Sequence, residues 1–145
     1  FVMRGSNTHL NFDLDLAADQ SDKNPVYYLQ YAHARICNII KRNDENENTI
    51  DYNPELLEHD LEIDLLKKLE QFPIIVRSAL DSLEPQSVAN YLQEIAGKFH
   101  KYYANCRIIG EEKELTQSRI ALIGATKNVI NNGLNLLGIT APEKM

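Results

Sequence analysis

Two tyrosines and an arginine recur at helical spacing in the segment 24–42, NPVYYLQYAHARICNIIKR. Tyr28, Tyr31 and Arg35 follow one another at steps of three and four residues, so a helix would place them on one face. Aromatic rings and a guanidinium stack on flat groups and attract anions, as the unpaired bases and phosphates of RNA require. The pattern indicates a nucleic-acid contact. The alternative is that the tyrosines are ordinary amphipathic packing residues and that Arg35 pairs with a carboxylate.

The same segment carries clear signals for a helix. Asn24 suits the N-cap position, and Pro25 suits the first helical position, where a missing N–H costs nothing. Lys41 and Arg42 give the last turn the positive charge that a helix C-terminus favours. Apolar side chains on a neighbouring face are expected to pack against a core, and they are Leu29, Ala32, Ile36, Ile39 and Ile40.

Apolar residues recur at helical spacing through the middle of the chain as well. They predict a helix over 54–71, with Asn53 as its cap. Pro73 is expected to end or kink that helix, because proline lacks a backbone N–H. A second helical segment is predicted directly after it, at 74–83.

Two long helices are expected in the C-terminal part of the chain. Pro85 suits the first position of a helix that carries a long apolar stripe to about Asn105. Thr116 is expected to cap the last helix, and Gly138 is expected to end it in a left-handed conformation. Together these segments predict an all-α bundle of four or five helices with short connections.

The segment 11–20, NFDLDLAADQ, alternates acidic and apolar residues. A short helix capped by Asn11 or Asp13 is favoured over a strand, because leucine and alanine are strong helix formers. Its aspartates lack the glycine and the distal glutamate of a calcium loop, so no metal site is predicted there. Residues 1–4 are compatible with the end of a strand, and 43–53 with an exposed acidic connection.

The chain has 145 residues, enough for one domain with its own core. No apolar run approaches the ~20 residues that a membrane span needs, so a membrane is not an expected partner. Cys37 and Cys106 both lie in apolar helical contexts, and we predict that they are buried free thiols. Nothing in the cysteine usage requires an oxidising compartment, which makes the cytoplasm the expected location.

Charge is distributed unevenly along the chain, which has a net charge of −6. Residues 1–43 carry five Lys/Arg and four Asp/Glu, 44–97 carry three and thirteen, and 98–145 carry seven and four. The net negative charge argues against a protein that coats DNA or RNA by bulk electrostatics. If the two ends of the chain meet in the fold, they offer a basic face suited to local recognition of an RNA loop.

Two motifs resemble the arginyl-tRNA synthetases. The stretch 11–36, NFDLDLAADQSDKNPVYYLQYAHARI, is similar to the segment that joins the catalytic domain of that family to its anticodon-binding domain. The family pattern runs roughly DFDLDLA…NPVYYVQYAHAR, and Asn11 stands where its first Asp is usual. The stretch GLNLLGITAPEKM at 133–145 resembles the family's terminal GL-x-LLGI-x-APE-x-M. The two motifs occur in the family's order, so the resemblance covers nearly the whole chain.

The resemblance implies that the bundle is of the class I synthetase anticodon-binding type. Residues 1–22 would be the end of the catalytic domain or a connection, and 23–145 the helical anticodon-binding domain. ATP-binding signatures of the His-Ile-Gly-His and Lys-Met-Ser-Lys-Ser type do not occur in this sequence. We therefore expect a fragment with no catalytic residues, no metal and no activity of its own. Its parent would be a monomeric arginine-tRNA ligase that uses ATP and magnesium.

The resemblance also implies that the partner is the anticodon loop of the arginine tRNA. The residues carried over for this contact are Tyr28, Tyr31, Arg35, Tyr102, Tyr103 and Met145. The choice between Tyr102 and Tyr103 stays open, because Tyr102 lies near the apolar stripe of its helix. Met145 would add a flexible apolar contact and a carboxylate acceptor if the terminal segment docks rather than frays. Gln30 and Asn38 are further polar candidates.

Other functions would suit the same residues. A helical protein-interaction module would bind a partner through its acidic middle helices and leucine stripes, with the tyrosine face as an anchor. Salt separates the two classes, because an RNA complex weakens markedly with salt and an apolar protein interface does not. Synthetases of the cysteinyl or methionyl type also have a similar helical domain, but the YAHAR run at 31–35 favours the arginyl type.

Overall fold

Six α-helices and one 3₁₀ turn form the described part of the computed structural model, residues 13–44 and 52–145. In chain order they are α1 (Leu14–Ala18), α2 (Pro25–Asp44), the 3₁₀ turn (Pro54–Leu56), α3 (Asp60–Glu70), α4 (Phe72–Ser82), α5 (Gln86–Asn105) and α6 (Lys113–Leu136). No strand occurs in these two ranges, so the all-α prediction is confirmed. Within the same ranges, no helix is both long and apolar enough to cross a bilayer.

The short helix predicted near the start is α1. The carboxylate of Asp13 accepts a hydrogen bond from the backbone N–H of Leu16 at 3.0 Å, which confirms Asp13 as its cap. Every residue of α1 is exposed. The alternative cap Asn11, the strand end predicted at 1–4 and most of the connection at 43–53 lie outside the described residues.

α2 begins as its sequence predicts. The side-chain oxygen of Asn24 accepts hydrogen bonds from the backbone N–H groups of Val26 and Tyr27, at 3.0 and 3.4 Å. These bonds satisfy donors that a helix N-terminus otherwise leaves unpaired. Leu29 and Ile36 are fully buried, so the predicted core face of this helix is confirmed.

α5 lies at the centre of the bundle and packs against α2, α3, α4 and α6. Its apolar stripe is buried throughout, and Leu92, Ile95 and Phe99 are completely inaccessible to solvent. Fully burying a side chain of this kind contributes about 1.5–3 kcal/mol, so α5 supplies a large part of the core. Cys37 and Cys106 are also buried and unpaired with each other, as predicted, and burial raises the pKa of both thiols.

The single helix predicted over 54–71 is wrong. Asn53 does act as a cap, since its side chain accepts from the backbone N–H of Glu55 at 3.0 Å. It caps only the 3₁₀ turn, and the chain leaves helical geometry at Leu57. A new helix, α3, begins three residues later.

A capping box explains why α3 has its own start. The ring Nδ1 of His59 accepts from the backbone N–H of Leu61 at 3.1 Å. In return, the Glu62 carboxylate accepts from the backbone N–H of His59 at 3.0 Å. Two backbone donors are satisfied reciprocally, which a helix running through this point would not achieve with these side chains. α3 ends before Pro73, as predicted.

The predicted role of Thr116 as a helix cap is also wrong. α6 begins at Lys113, with Glu112 in the cap position, so Thr116 lies inside the first turns. Its hydroxyl donates to the backbone carbonyl of Glu111 at 3.2 Å, and the side chain is buried. The hydroxyl of threonine suits both roles, and the tertiary packing decides between them.

The far end of α6 agrees with the prediction. Gly138 has a φ of +71°, in the left-handed region. The backbone N–H of Ile139 donates to the carbonyl of Leu134 at 2.9 Å, and that of Gly138 donates to the carbonyl of Asn135 at 3.0 Å. This pair of bonds is a Schellman motif, and it turns the chain out of the helix axis.

A buried ion pair joins α3 to α6. Glu62 is 0% exposed, and its Oε1 accepts from Arg119 Nε at 2.6 Å and from the Tyr102 hydroxyl at 3.4 Å. Arg119 also donates through Nη1 to the backbone carbonyl of Arg107, at 2.6 Å. Burial and the Glu62 charge raise the pKa of Tyr102, so its hydroxyl remains a neutral donor. Each charge in the network therefore has a partner, as burial demands.

We expect Arg119→Met to lower the free energy of unfolding by about 3–5 kcal/mol, because it leaves the Glu62 carboxylate buried without a cation. Urea denaturation measures this loss. The matched control is Arg77→Met on the exposed surface of α4, which should change stability by less than about 0.5 kcal/mol. Equal losses in the two variants would show that the buried pair has no special role.

Leu83 ends α4 in an unusual backbone conformation. Its φ of 57° lies in the left-handed region, which a residue with a Cβ enters only at a cost of about 1–2 kcal/mol. The side chain is 82% exposed, so core packing does not compensate that cost.

Leu83→Gly should therefore raise the free energy of unfolding by about 1 kcal/mol. Leu80→Gly, inside the same helix and 71% exposed, should lower it by about 1 kcal/mol. Thermal and urea unfolding of both variants check the opposite signs. A destabilised Leu83→Gly variant would contradict the strain at this position.

Candidate nucleic-acid interface

A solvent-open cleft lies between α2 and the end of α5, and we call it the tyrosine cleft. Its lining residues are Tyr31, Ala34, Arg35, Asn38, Ile39, Arg42, Tyr103 and Met145. Four of the six residues proposed from the sequence meet here, although they lie up to 114 positions apart along the chain. The lining carries two guanidinium groups and no carboxylate side chain among the described residues.

Arg35 is the centre of this cleft. Its guanidinium carbon lies 4.3 Å from the centroid of the Tyr103 ring and 5.6 Å from that of the Tyr31 ring. Its Nη1 also donates a hydrogen bond to the Tyr31 hydroxyl. Burial alone would lower the pKa of Arg35, but its interactions with Tyr103 and Tyr31 raise it above the ordinary value, so the side chain stays cationic. The cation and both rings are held in one fixed arrangement.

His100 supports this arrangement from below, and the sequence analysis missed it. Its ring stacks on Tyr31 with centroids 6.0 Å apart and contacts Tyr28 at 5.0 Å. Its Nε2 is buried without a hydrogen-bond partner. One signal was available in the sequence, because His100 lies three positions before Tyr103 and therefore on a similar face of α5. Which residue of α2 it meets follows only from tertiary packing.

The remaining two tyrosines lie elsewhere. Tyr28 is partly buried behind the cleft, where it contacts His100, and it does not line the open surface. Tyr102 is 0% exposed and bonds to Glu62 in the core, so its proposed contact with RNA is corrected. A ring without solvent access cannot stack on a base. Of the two alternatives, Tyr103 is the residue that faces the cleft.

The segment 139–145 docks on α2 rather than fraying. Gln30 Nε2 donates to the carbonyl of Thr140 at 2.8 Å, and His33 Nδ1 lies 2.9 Å from the carbonyl of Pro142. The Lys41 ammonium pairs with the Glu143 carboxylate at 2.9 Å. These contacts carry the chain along α2 and bring Met145 to the cleft. Gln30 is therefore engaged with the tail, while the other polar candidate, Asn38, lines the cleft.

The chemistry available at this cleft is stacking and anion binding. Tyr31 is 39% exposed, which leaves a ring available to a flat partner. Because the rings and the guanidinium already contact one another, a ligand would not have to order them on binding. The described residues contain no group of three or more His, Cys, Asp or Glu placed to hold a metal ion.

Residues 29–145 match the sequence model of the DALR anticodon binding domain. The chain belongs to the DALR anticodon-binding domain family. The match includes all three elements that line the cleft, namely α2 from its second turn, α5 and the tail. In this DALR domain the tyrosine cleft is thus built inside the matched region.

Relatives of this DALR domain are considerably longer proteins. Arginine–tRNA ligase from Salinibacter ruber is 50% identical over 147 residues, a match that covers 100% of this chain and 26% of the relative. Arginine–tRNA ligase from Carboxydothermus hydrogenoformans is 44% identical over 149 residues, with 100% and 27% covered. The chain therefore spans about a quarter of the length of these curated relatives.

A solved structure shares the fold. Arginyl-tRNA synthetase from Thermus thermophilus aligns with a TM-score of 0.77 and 30% sequence identity, over 92% of this chain and 23% of that one. The predicted helical bundle of the synthetase anticodon-binding type is confirmed by this similarity.

The aromatic cluster predicts a pH dependence of stability. Burial, and then the charge of Arg35, lower the pKa of His100 below its ordinary value of 6.5. The unfolded chain therefore binds this proton more readily than the folded one, and protonation favours unfolding. We expect the free energy of unfolding to fall as the pH decreases from about 7 to about 5.

His100→Phe should keep the ring packing and reduce this loss, and urea unfolding at several pH values measures the difference between the two proteins. The same fall in stability in both proteins would assign it to other titrating groups.

Proposed function

We propose that this chain is the anticodon-binding domain of an arginine–tRNA ligase and that the tyrosine cleft holds the anticodon loop of the arginine tRNA. One observation carries the proposal: Tyr31, Arg35, Tyr103 and Met145, which are distant in sequence, line one open cleft of a DALR domain. The family match does not favour the alternative of a protein-interaction module.

In this proposal an unpaired base stacks on the exposed Tyr31 ring. Stacking of a base on an aromatic side chain contributes about 1–3 kcal/mol. Arg35 would bind a base edge or a phosphate through its terminal nitrogens while Tyr103 holds its guanidinium plane. Met145 would add an adaptable apolar contact at the rim. Tyr28 would act from behind, by fixing His100 and through it the Tyr31 ring.

The parent enzyme would attach arginine to its tRNA in the cytoplasm, with ATP and magnesium. The curated relatives support the ligase activity of a longer parent, since they carry the name arginine–tRNA ligase and are about four times as long as this chain. Residues 1–22 would connect to the catalytic domain, and 23–145 would form the anticodon-binding unit. We assign no catalytic residue to this chain, and a monomer is sufficient, because one copy supplies every residue of the cleft.

We expect Tyr31→Ala to weaken binding of the arginine-tRNA anticodon stem-loop by about tenfold, because a stacking platform is lost. Fluorescence anisotropy with a labelled stem-loop gives the Kd, and thermal unfolding confirms that the variant is folded. Tyr52→Ala is the matched control. Tyr52 is also exposed, at 53%, and it does not line the cleft, so its loss should leave the Kd unchanged.

A second stem-loop with altered anticodon bases tests selectivity, and two salt concentrations test the class of partner. Preferential binding that weakens with salt supports anticodon recognition. A folded chain that binds both loops equally, or that binds neither, would contradict the proposal. Salt-insensitive capture of a protein partner would favour the interaction module.

A further inference from the structure

A second cleft adjoins the tyrosine cleft, and we call it the arginine cleft. Its lining residues are Ile39, Arg42, Tyr103, Cys106, Arg107, Ile108 and Ile109. Three residues, Ile39, Arg42 and Tyr103, line both clefts, so the two form a continuous surface across the ends of α2 and α5. None of the residues carried over from the family resemblance, except Tyr103, belongs to the second cleft.

The arginine cleft is cationic within an acidic protein. The chain has a net charge of −6, yet this cleft is lined by two arginines and by no carboxylate side chain among the described residues. The remaining lining is apolar or aromatic, which lowers the local dielectric and strengthens attraction for an anion. Such a site suits an anion with several oxygen acceptors, because each guanidinium offers a planar set of donors.

The guanidinium of Arg107 is held in place by its own loop. Its Nε donates to the backbone carbonyl of Ile109 at 3.0 Å, and Nη1 and Nη2 are its other donor groups. The backbone carbonyl of Arg107 is fixed in turn by Arg119 Nη1 at 2.6 Å. Gly110 closes the loop with a φ of +92°, and a Cβ at that position would lie only 2.7 Å from Arg107 Nη2. The glycine thus makes room for the arginine head group.

We propose that Arg42 and Arg107 form a phosphate-binding subsite that holds the sugar–phosphate backbone of the RNA whose base occupies the tyrosine cleft. The inference rests on the proposed function and extends it to a second part of the ligand. Tyr103 lies between the two subsites, so a base at one and its neighbouring phosphodiester at the other would bind the same stretch of loop. Binding at this subsite depends on the charge of the phosphate and not on the identity of the base.

Salt dependence provides the first test. Each phosphate neutralised by the protein adds about 0.7–0.9 to the slope of log K against log salt. Arg107→Gln and Arg42→Gln should each lower the slope for the arginine anticodon stem-loop by about 0.7–1 and weaken binding about five- to tenfold near 0.1 M salt. Arg107 does not line the tyrosine cleft, so Arg107→Gln should leave the discrimination between the wild-type loop and a loop with altered anticodon bases unchanged.

Arg77→Gln is the matched control, because it makes the same change of net charge on α4, away from both clefts. It should leave the slope unchanged. An equal fall in slope for Arg77→Gln and Arg107→Gln would assign the effect to bulk charge and overturn the subsite.

Neutral backbone linkages locate the contact on the RNA. A series of stem-loops is prepared in which each carries one methylphosphonate, an uncharged linkage, at a different position. At one position, this change should weaken binding to the wild-type chain. The same change should not weaken binding to the Arg107→Gln variant any further, because the contact is already lost there. If the chain binds the arginine loop selectively but no position couples to Arg107 or Arg42, the subsite is overturned and the anticodon proposal stands. If the folded chain shows no selective binding at all, both proposals fail.

Gly110→Ala tests whether the position of the Arg107 guanidinium matters, because it leaves the net charge of the protein unchanged. Its Cβ displaces the Arg107 guanidinium, so binding should weaken and the slope should fall as in Arg107→Gln. Thermal unfolding confirms that the variant is folded. A folded Gly110→Ala variant with wild-type affinity and slope would contradict the assignment of Arg107 as a held donor.

Discussion

The buried pair of Glu62 and Arg119 is the constraint on which the rest of the bundle depends. A carboxylate with no solvent access must find cations and donors inside the protein. Glu62 finds them on three sides: the backbone of His59 at the start of α3, the hydroxyl of Tyr102 on α5, and Arg119 on α6. These bonds fix how the three helices approach one another. Through the second bond of Arg119, they also fix the backbone of the loop that presents Arg107.

Side chains of the tyrosine cleft are also held in place by their neighbours. Arg35 is held between two tyrosines, Tyr31 is backed by His100, and His100 is enclosed by Tyr28 and Phe99. A layered cluster of this kind presents rigid flat groups to solvent with little freedom left to lose on binding. The neutral state of His100 is part of the arrangement, because a second cation beneath Arg35 would repel it.

Local signals in the sequence were sufficient for the elements but not for their junctions. The cap at Asn24 and the left-handed end at Gly138 follow from side chains within a few residues, and both were predictable. The break after the 3₁₀ turn was not, because it depends on Glu62 serving the cap of α3 and the distant Arg119 at once.

In the candidate site, the period of the helix is sufficient to predict that Tyr31 and Arg35 share one face of α2. The choice of Tyr103 over Tyr102 required the packing of α5 against α3 and α6, as did the place of His100.

The tail adds a constraint of length. Gly138 fixes the point where the chain leaves α6, and α2 anchors it again at Thr140, Pro142 and Glu143. An extended chain advances about 3.3–3.6 Å per residue, so one residue more or fewer would displace Met145 by about that distance. Of the three anchors, only Glu143 is held through its side chain. Thr140 and Pro142 are held through their backbone carbonyls, so at these two positions the spacing matters more than the identity of the side chain.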